Sequence, residues 1–153
     1  MIQKQDDVMN QSKYVYHGSP YSFNEFKPVN HYLVGKPGVF ATTRIEQALC
    51  SLQYWNDDMF DQGTVNDDPV YFREKERNIL EKTYKHKEGW LYVLLASSFV
   101  HEDNFMSTEL ISYSHPKIIK KIHIRDSLAA MNKSELLIFR YKDSKEFRKY
   151  IGQ

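Results

Sequence analysis

Three short segments carry residue types that can do chemistry together. The first is Tyr16-His17-Gly18-Ser19. A histidine supplies both a hydrogen-bond donor and an acceptor near neutral pH. The glycine after it lets a flat ligand approach the backbone amide and carbonyl closely, and Ser19 adds a hydroxyl. The second is Gly38-Val39-Phe40-Ala41-Thr42-Thr43, followed by Ala48. Phe40 there can form the wall of a flat pocket by stacking. The third is Ser107-Thr108-Glu109-Leu110-Ile111-Ser112-Tyr113. A glutamate opening an apolar strand is costly if buried unpaired, so a strand-end carboxylate of this kind suits a cleft wall. Taken singly, each segment reads as well as an ordinary turn, a core phenylalanine or an exposed strand start.

The elements that must hold these residues follow from pattern. Lys13 to Tyr16 reads as a strand stopped by Gly18, Ser19 and Pro20. Phe23 and Phe26, three apart before Pro28, suggest one helical turn, and Val29 to Lys36 a loop. Val39 to Thr42 is a strand. Thr43 and Glu46 have capping-box spacing for a helix with Ile45, Ala48, Leu49 and Leu52 on one face. Asn56 to Asp68 is expected to be an exposed loop. Tyr71 to Lys87 looks helical with Phe72, Ile79 and Leu80 as its apolar face, ended by Gly89. Trp90 to Ala96 is apolar enough for a buried central strand. Glu109 to Tyr113 and Ile118 to Ile124 are further strands, the second with a phase slip at Ile119. Ser127 to Met131 is a short helix and Leu136 to Tyr141 a last strand. Asp143 can cap a final helix carrying Phe147, Tyr150 and Ile151.

The chain has 153 residues, enough for one domain with a real core, and we expect a polar, frayed lead-in over residues 1–12 before a single domain over 13–153. Hydrophobic residues at 41% and charged residues at 27% exclude wholesale disorder. Net charge is +1, so no global field demands nucleic acid or an anionic membrane. After Ser112 there are ten basic and four acidic residues, a local excess that reads best as solvated strand and helix faces. A single cysteine, Cys50, excludes an internal disulfide and fits a reducing, cytoplasmic setting. No apolar run is long enough to cross a membrane, and residues 1–12 do not read as a signal peptide. The aspartates of Asn56 to Asp68 fail calcium-loop spacing. Counted from Asp57, Gln62 stands where glycine belongs and Asp68 where glutamate belongs. No His-x-x-x-His or Cys-x-x-Cys spacing occurs, so no metal is expected.

In this order and spacing the three segments resemble the ADP-ribosyltransferase family, in the group of diphtheria toxin and the poly(ADP-ribose) polymerases. Its members share an aromatic followed by His-Gly-Ser or His-Gly-Thr, a strand reading Gly-hydrophobic-aromatic with an alanine in the next helix, and a late strand opened by a glutamate. Gly38 and Ala48, ten apart, look like the toxin branch, and Glu109 through Ile111 and Tyr113 to Ile118 looks like the polymerase version. The resemblance covers Tyr14 to Ile124. It implies an α+β fold, a split two-sheet β core with flanking helices, with NAD bound between the sheets as a substrate and no metal. His17, with Ser19, would hold the adenosine-side ribose. Gly18 would pair with the nicotinamide carboxamide, and Phe40, where the family has tyrosine, would stack on the ring. Glu109 would stabilise the oxocarbenium-like centre as nicotinamide leaves. The family's second aromatic falls at Ser51 here, and Tyr54, one turn on, is expected to replace it. The residue two before Glu109 is Ser107, not the glutamine or glutamate of the arginine-modifying toxins.

The implied activity is mono-ADP-ribosyl transfer, a glycosyltransferase reaction, or NAD hydrolysis. The acceptor is unspecified and would be read by Asn56 to Asp68 and His101 to Met106. Two alternatives stand beside it: a non-catalytic nucleotide- or protein-binding module of the same fold, and an RNA 2′-phosphotransferase-like activity.

Overall fold

The computed structural model describes residues 13–30, 34–66 and 69–152. In chain order the described strands are β1 (Tyr14–Ser19), β2 (Val29–Asn30), β3 (Pro37–Thr42), β4 (Phe60–Thr64), β5 (Val70–Glu74), β6 (Gly89–Leu95), β7 (Phe99–Val100), β8 (Glu109–Ser112), β9 (Ile118–Ile124) and β10 (Leu137–Phe139). The helices are α1 (Ile45–Cys50), α2 (Ile79–Tyr84), α3 (Ser127–Lys133) and α4 (Ser144–Tyr150), with 3-10 turns at Ala96–Ser98 and Tyr141–Asp143. Among the described residues the chain is mixed α+β. A large antiparallel sheet runs in the order β7-β8-β3-β1-β6-β9 with β2 on β3, and a smaller sheet runs β10-β5-β4.

Strand alternation assigns the two faces of the large sheet. Val15, Val39, Ala41, Tyr92 and Leu94 bury into one cluster with Phe26. Leu91 faces the other way, into a cluster with Ala48, Leu52, Phe60, Phe72, Tyr84 and Met131. That second cluster joins α1 and the small sheet to the large one. Its centre is the stacked pair Phe60–Phe72, with ring centroids 4.2 Å apart. Burying each such ring is worth roughly 2–3 kcal/mol.

The strands at positions 14–19, 37–42, 89–95, 109–112 and 118–124 and the helix at 127–133 fall close to where pattern puts them. The phase slip at Ile119 is a β-bulge: Val93 pairs with Lys120 but Leu94 with Ile118, leaving Ile119 unpaired and 44% exposed.

Other expectations are corrected. Lys13 to Tyr16 does not stop at Gly18, because β1 stays paired with β6 as far as Ser19↔Trp90. Phe23 and Phe26 lie on bent, non-helical backbone. Their rings pack on Tyr92, Phe23 stacked at 4.4 Å, and the Tyr92 hydroxyl accepts from the Phe23 N–H. Tertiary packing thus replaces the local turn. Asn56 to Asp68 is not simply a loop. Phe60 points into the core and Gly63 lies under the Tyr71 side chain, so this stretch carries β4, while Asp67 and Asp68 lie outside the described residues. Tyr71 to Lys87 starts as a strand, with Val70, Phe72 and Glu74 buried in alternation. Asn78, at φ 65°, breaks the chain before α2. Gly89 opens β6 and does not end the helix. Arg44, not Thr43, is the α1 N-cap residue. The Thr42 hydroxyl accepts from the Arg44 N–H, while the Thr43 N–H goes to the Thr108 carbonyl. Asp143 turns its carboxylate back to the Arg140 N–H. The expected lead-in at 1–12 lies outside the described residues, as do residues 31–33 of the expected Val29 to Lys36 loop, and Val29–Asn30 pairs with β3.

Candidate functional site

β1 and β3 pair only at Tyr16↔Thr42 and then part. His17 stands at that fork. Its Nδ1 lies 2.5 Å from the carbonyl oxygen of Phe40 on β3. A carbonyl only accepts, so Nδ1 carries the hydrogen and Nε2 is left as an acceptor in the neutral ring. Phe26 meets the ring edge-on at 4.8 Å, and Tyr92 lies 6.2 Å away. This burial pushes the imidazole pKa below its ordinary 6.5, although the Phe40 carbonyl pulls the other way. His17 is therefore a neutral, oriented group at neutral pH.

Beside the fork lies a cavity of about 550 Å³, a size typical of small-molecule sites. His17, Gly18, Phe40 and Glu109 all line it. Two cross-strand pairs explain how distant segments meet. Tyr16 is opposite Thr42, and Thr42 is opposite Glu109, so the three form one row across β1, β3 and β8. Directly opposed residues share a face, so Glu109 projects from the α1 side of the sheet. His17 leaves from the other face and still lines the cavity, because the sheet is open beside it.

Glu109 is half-buried, and its Oε1 accepts from the Met106 N–H at 3.0 Å. A short turn, closed by the Glu109 N–H to the Met106 carbonyl at 2.9 Å, fixes this geometry. Phe40 lies 5.3 Å from the buried ring of Phe105. The charged residues lining the cavity, among those described, are Asp57, Asp61 and Glu109. Asp61 is paired with Arg73 at 2.9 Å and Lys75 at 3.5 Å.

Gly18 has a packing reason to be glycine. A Cβ there would sit 2.0 Å from the carbonyl oxygen of Ala48. Helix α1 lies directly on β1 at this point and closes one side of the cavity, and Ala48 is small enough to allow it.

Two residues expected at the site do not line the cavity. Ser19 is buried, and its hydroxyl accepts from the Tyr21 N–H at 3.1 Å, a local turn contact. Tyr54 is 75% exposed. Ser51 does line the cavity, and so does Trp55, whose ring meets Phe72 edge-on at 5.0 Å. Gln47 and Thr42 also line it. Sequence reasoning passed over Trp55 and Gln47. The available signal was a polar residue between Glu46 and Ala48 on a short helix next to the glycine–aromatic strand, and a tryptophan directly after the tyrosine chosen instead.

Among the described residues no group of three or more His, Cys, Asp or Glu is placed to hold a metal ion, and no helix is long and apolar enough to cross a membrane. Compared with known protein families, characterised proteins and solved structures, the chain matches none.

Proposed function

We propose that the chain has an ADP-ribosyltransferase-like fold and breaks the nicotinamide–ribose bond of NAD, passing ADP-ribose to an acceptor or to water. The observation that carries this reading is the meeting of His17, Phe40 and Glu109 at one cavity beside a split sheet, although they come from three separate strands. In this reading the nicotinamide stacks on Phe40, with its carboxamide against the Gly18 backbone. The Nε2 of His17 accepts from a hydroxyl of the adenosine-side ribose. Glu109 contacts the nicotinamide-side ribose.

The chemistry follows from charge. As the bond from the anomeric carbon to nicotinamide breaks, its electron pair leaves with the ring, which becomes neutral. Positive charge develops on the ribose, and a fixed carboxylate nearby lowers that barrier. An acceptor oxygen or nitrogen then bonds to the anomeric carbon and releases its proton to solvent. The acidic lining suits a cationic transition state.

One observation favours the non-catalytic binding module. Ser51 lines the cavity where the resembled family carries a second stacking aromatic, and Tyr54 turns away. In the enzyme reading Trp55, which lines the cavity, would take that aromatic's place. Incubation of the purified chain with NAD separates the two: free nicotinamide supports the enzyme, and NAD binding with no nicotinamide release supports the module. Adding candidate acceptors and following ADP-ribose then distinguishes transfer from hydrolysis.

A further inference from the structure

We infer that Gln47 contacts the ligand: its side-chain amide donates a hydrogen bond to the ribose diol that Glu109 contacts, making Gln47 a specificity-determining residue. This rests on the NAD reading above and adds to it a residue that reads the sugar.

Gln47 is 5% exposed and lines the cavity. Its Oε1 receives two hydroxyls, Thr42 at 2.7 Å and Thr108 at 2.5 Å. The Thr42 oxygen also accepts the Arg44 N–H at 3.1 Å. The Gln62 Oε1 on the other side can only accept, so the end of Gln47 facing it is the NH2 and the end facing the two threonines is the oxygen. The NH2 group faces away from the threonines, and its contacts there are long: 3.4 Å to the Gln62 Oε1 and 3.7 Å to the Met106 sulfur, a weak acceptor. A purely structural role accounts for the oxygen of Gln47 and leaves its NH2 without a strong bond.

The same two threonines tie this amide to Glu109. Thr42 is the cross-strand partner of Glu109, and Thr108 is its chain neighbour. An oriented donor and a carboxylate are thus held on one scaffold. A carboxylate only accepts, so it takes the hydrogen of a hydroxyl and leaves the oxygens of a vicinal diol wanting a donor. The Gln47 NH2 supplies it. A pair of adjacent hydroxyls on a furanose fits this donor–acceptor set, and a deoxy sugar does not.

The test is calorimetric titration with carba-NAD, whose nicotinamide-side ring keeps both hydroxyls but is not cleaved, and with its 2′-deoxy and 3′-deoxy forms at that ring. In the wild type, removing the hydroxyl that Gln47 reads is expected to weaken binding about fivefold, a typical net hydrogen bond. Gln47→Leu should bind carba-NAD with a similar loss and lose no more when that hydroxyl is also removed. Gln47→Glu keeps the oxygens for Thr42 and Thr108 but removes the donor, so it should weaken binding as well. Equal wild-type binding of all three ligands, a full deoxy penalty retained in Gln47→Leu, or wild-type affinity in Gln47→Glu each overturns the role of Gln47 and leaves the NAD reading standing. Absence of carba-NAD binding by the wild type overturns both. If Gln47→Leu does not fold, the wild-type comparison and Gln47→Glu decide.

Discussion

The Nδ1 of His17 donates to the backbone carbonyl of Phe40 at the point where β1 and β3 separate. This contact takes the place of a ladder hydrogen bond. It closes the end of the paired region with a side chain and leaves the space beyond it open as a cavity. A buried carbonyl without a partner would be expensive, so the fork depends on the imidazole keeping its Nδ1 hydrogen.

The first prediction concerns pH. Burial holds the His17 pKa below 6.5 in the folded chain, while the unfolded chain titrates near 6.5. The unfolded state then binds more protons as pH falls through 6.5, so His17 stabilises the fold fully above 6.5 and this contribution is lost toward its lower folded pKa. Urea midpoints should fall between pH 7 and 5.5, and more steeply in the wild type than in His17→Asn, whose amide can still donate to Phe40. Parallel slopes in the two proteins would show that His17 does not titrate as described.

Gly18 should tolerate no side chain. A methyl group placed 2.0 Å from the Ala48 carbonyl must push α1 off β1. Overpacking of this kind costs about 1–3 kcal/mol, and the backbone neighbour here puts Gly18→Ala at or above the upper end. Gly35 is the control: it has φ +67° and nothing within 4 Å, so Gly35→Ala should cost only about 1 kcal/mol, from backbone strain. Urea denaturation of both variants checks the order.

The residues lining the cavity show what was legible in the sequence. His17, Phe40 and Glu109 were readable because their types mark a turn, a stacking wall and a strand-end charge. The strands that carry them were readable because apolar runs such as Trp90 to Leu95 have only one sensible length. β4 and β5 were hidden. Asp57, Asp58 and Asp61 mask the inward Phe60, and the charges from Arg73 to Arg77 make an alternating strand look like the polar face of a helix. Gln47 and Trp55 left only a faint local signal, a polar residue on a short helix and a tryptophan beside Tyr54. Their place at the cavity arises when α1 settles on Gly18, a tertiary event with no local periodicity.

Cys50 should be chemically silent in the folded chain. It is fully buried, and burial pushes its thiol up to about 12. The thiolate that reacts with aromatic disulfides is then nearly absent at pH 8. Thiol titration should find no reactive sulfur in native buffer and one in urea. Rapid labelling without denaturant would mean that the packing of α1 against Tyr84, whose hydroxyl donates to the Cys50 carbonyl at 2.5 Å, opens readily.

Glu109 carries the last prediction. Its Oε1 is engaged by the Met106 N–H, an acceptor role that the Gln amide oxygen can keep, so Glu109→Gln should fold as the wild type does. What the substitution removes is the charge. In the proposed reaction that charge matters most when the ribose becomes cationic, and less when NAD is merely bound. The loss should therefore fall on the rate of nicotinamide release, while NAD affinity changes little. One preorganised electrostatic group of this kind is worth roughly 3–4 kcal/mol, a few hundred-fold in rate. His17→Ala should do the opposite and weaken NAD binding more than the chemical step, since its proposed contact lies on the adenosine side. Nicotinamide release and NAD affinity measured for the wild type and both variants separate these outcomes. Wild-type turnover that survives Glu109→Gln unchanged would remove Glu109 from the mechanism proposed for this cavity.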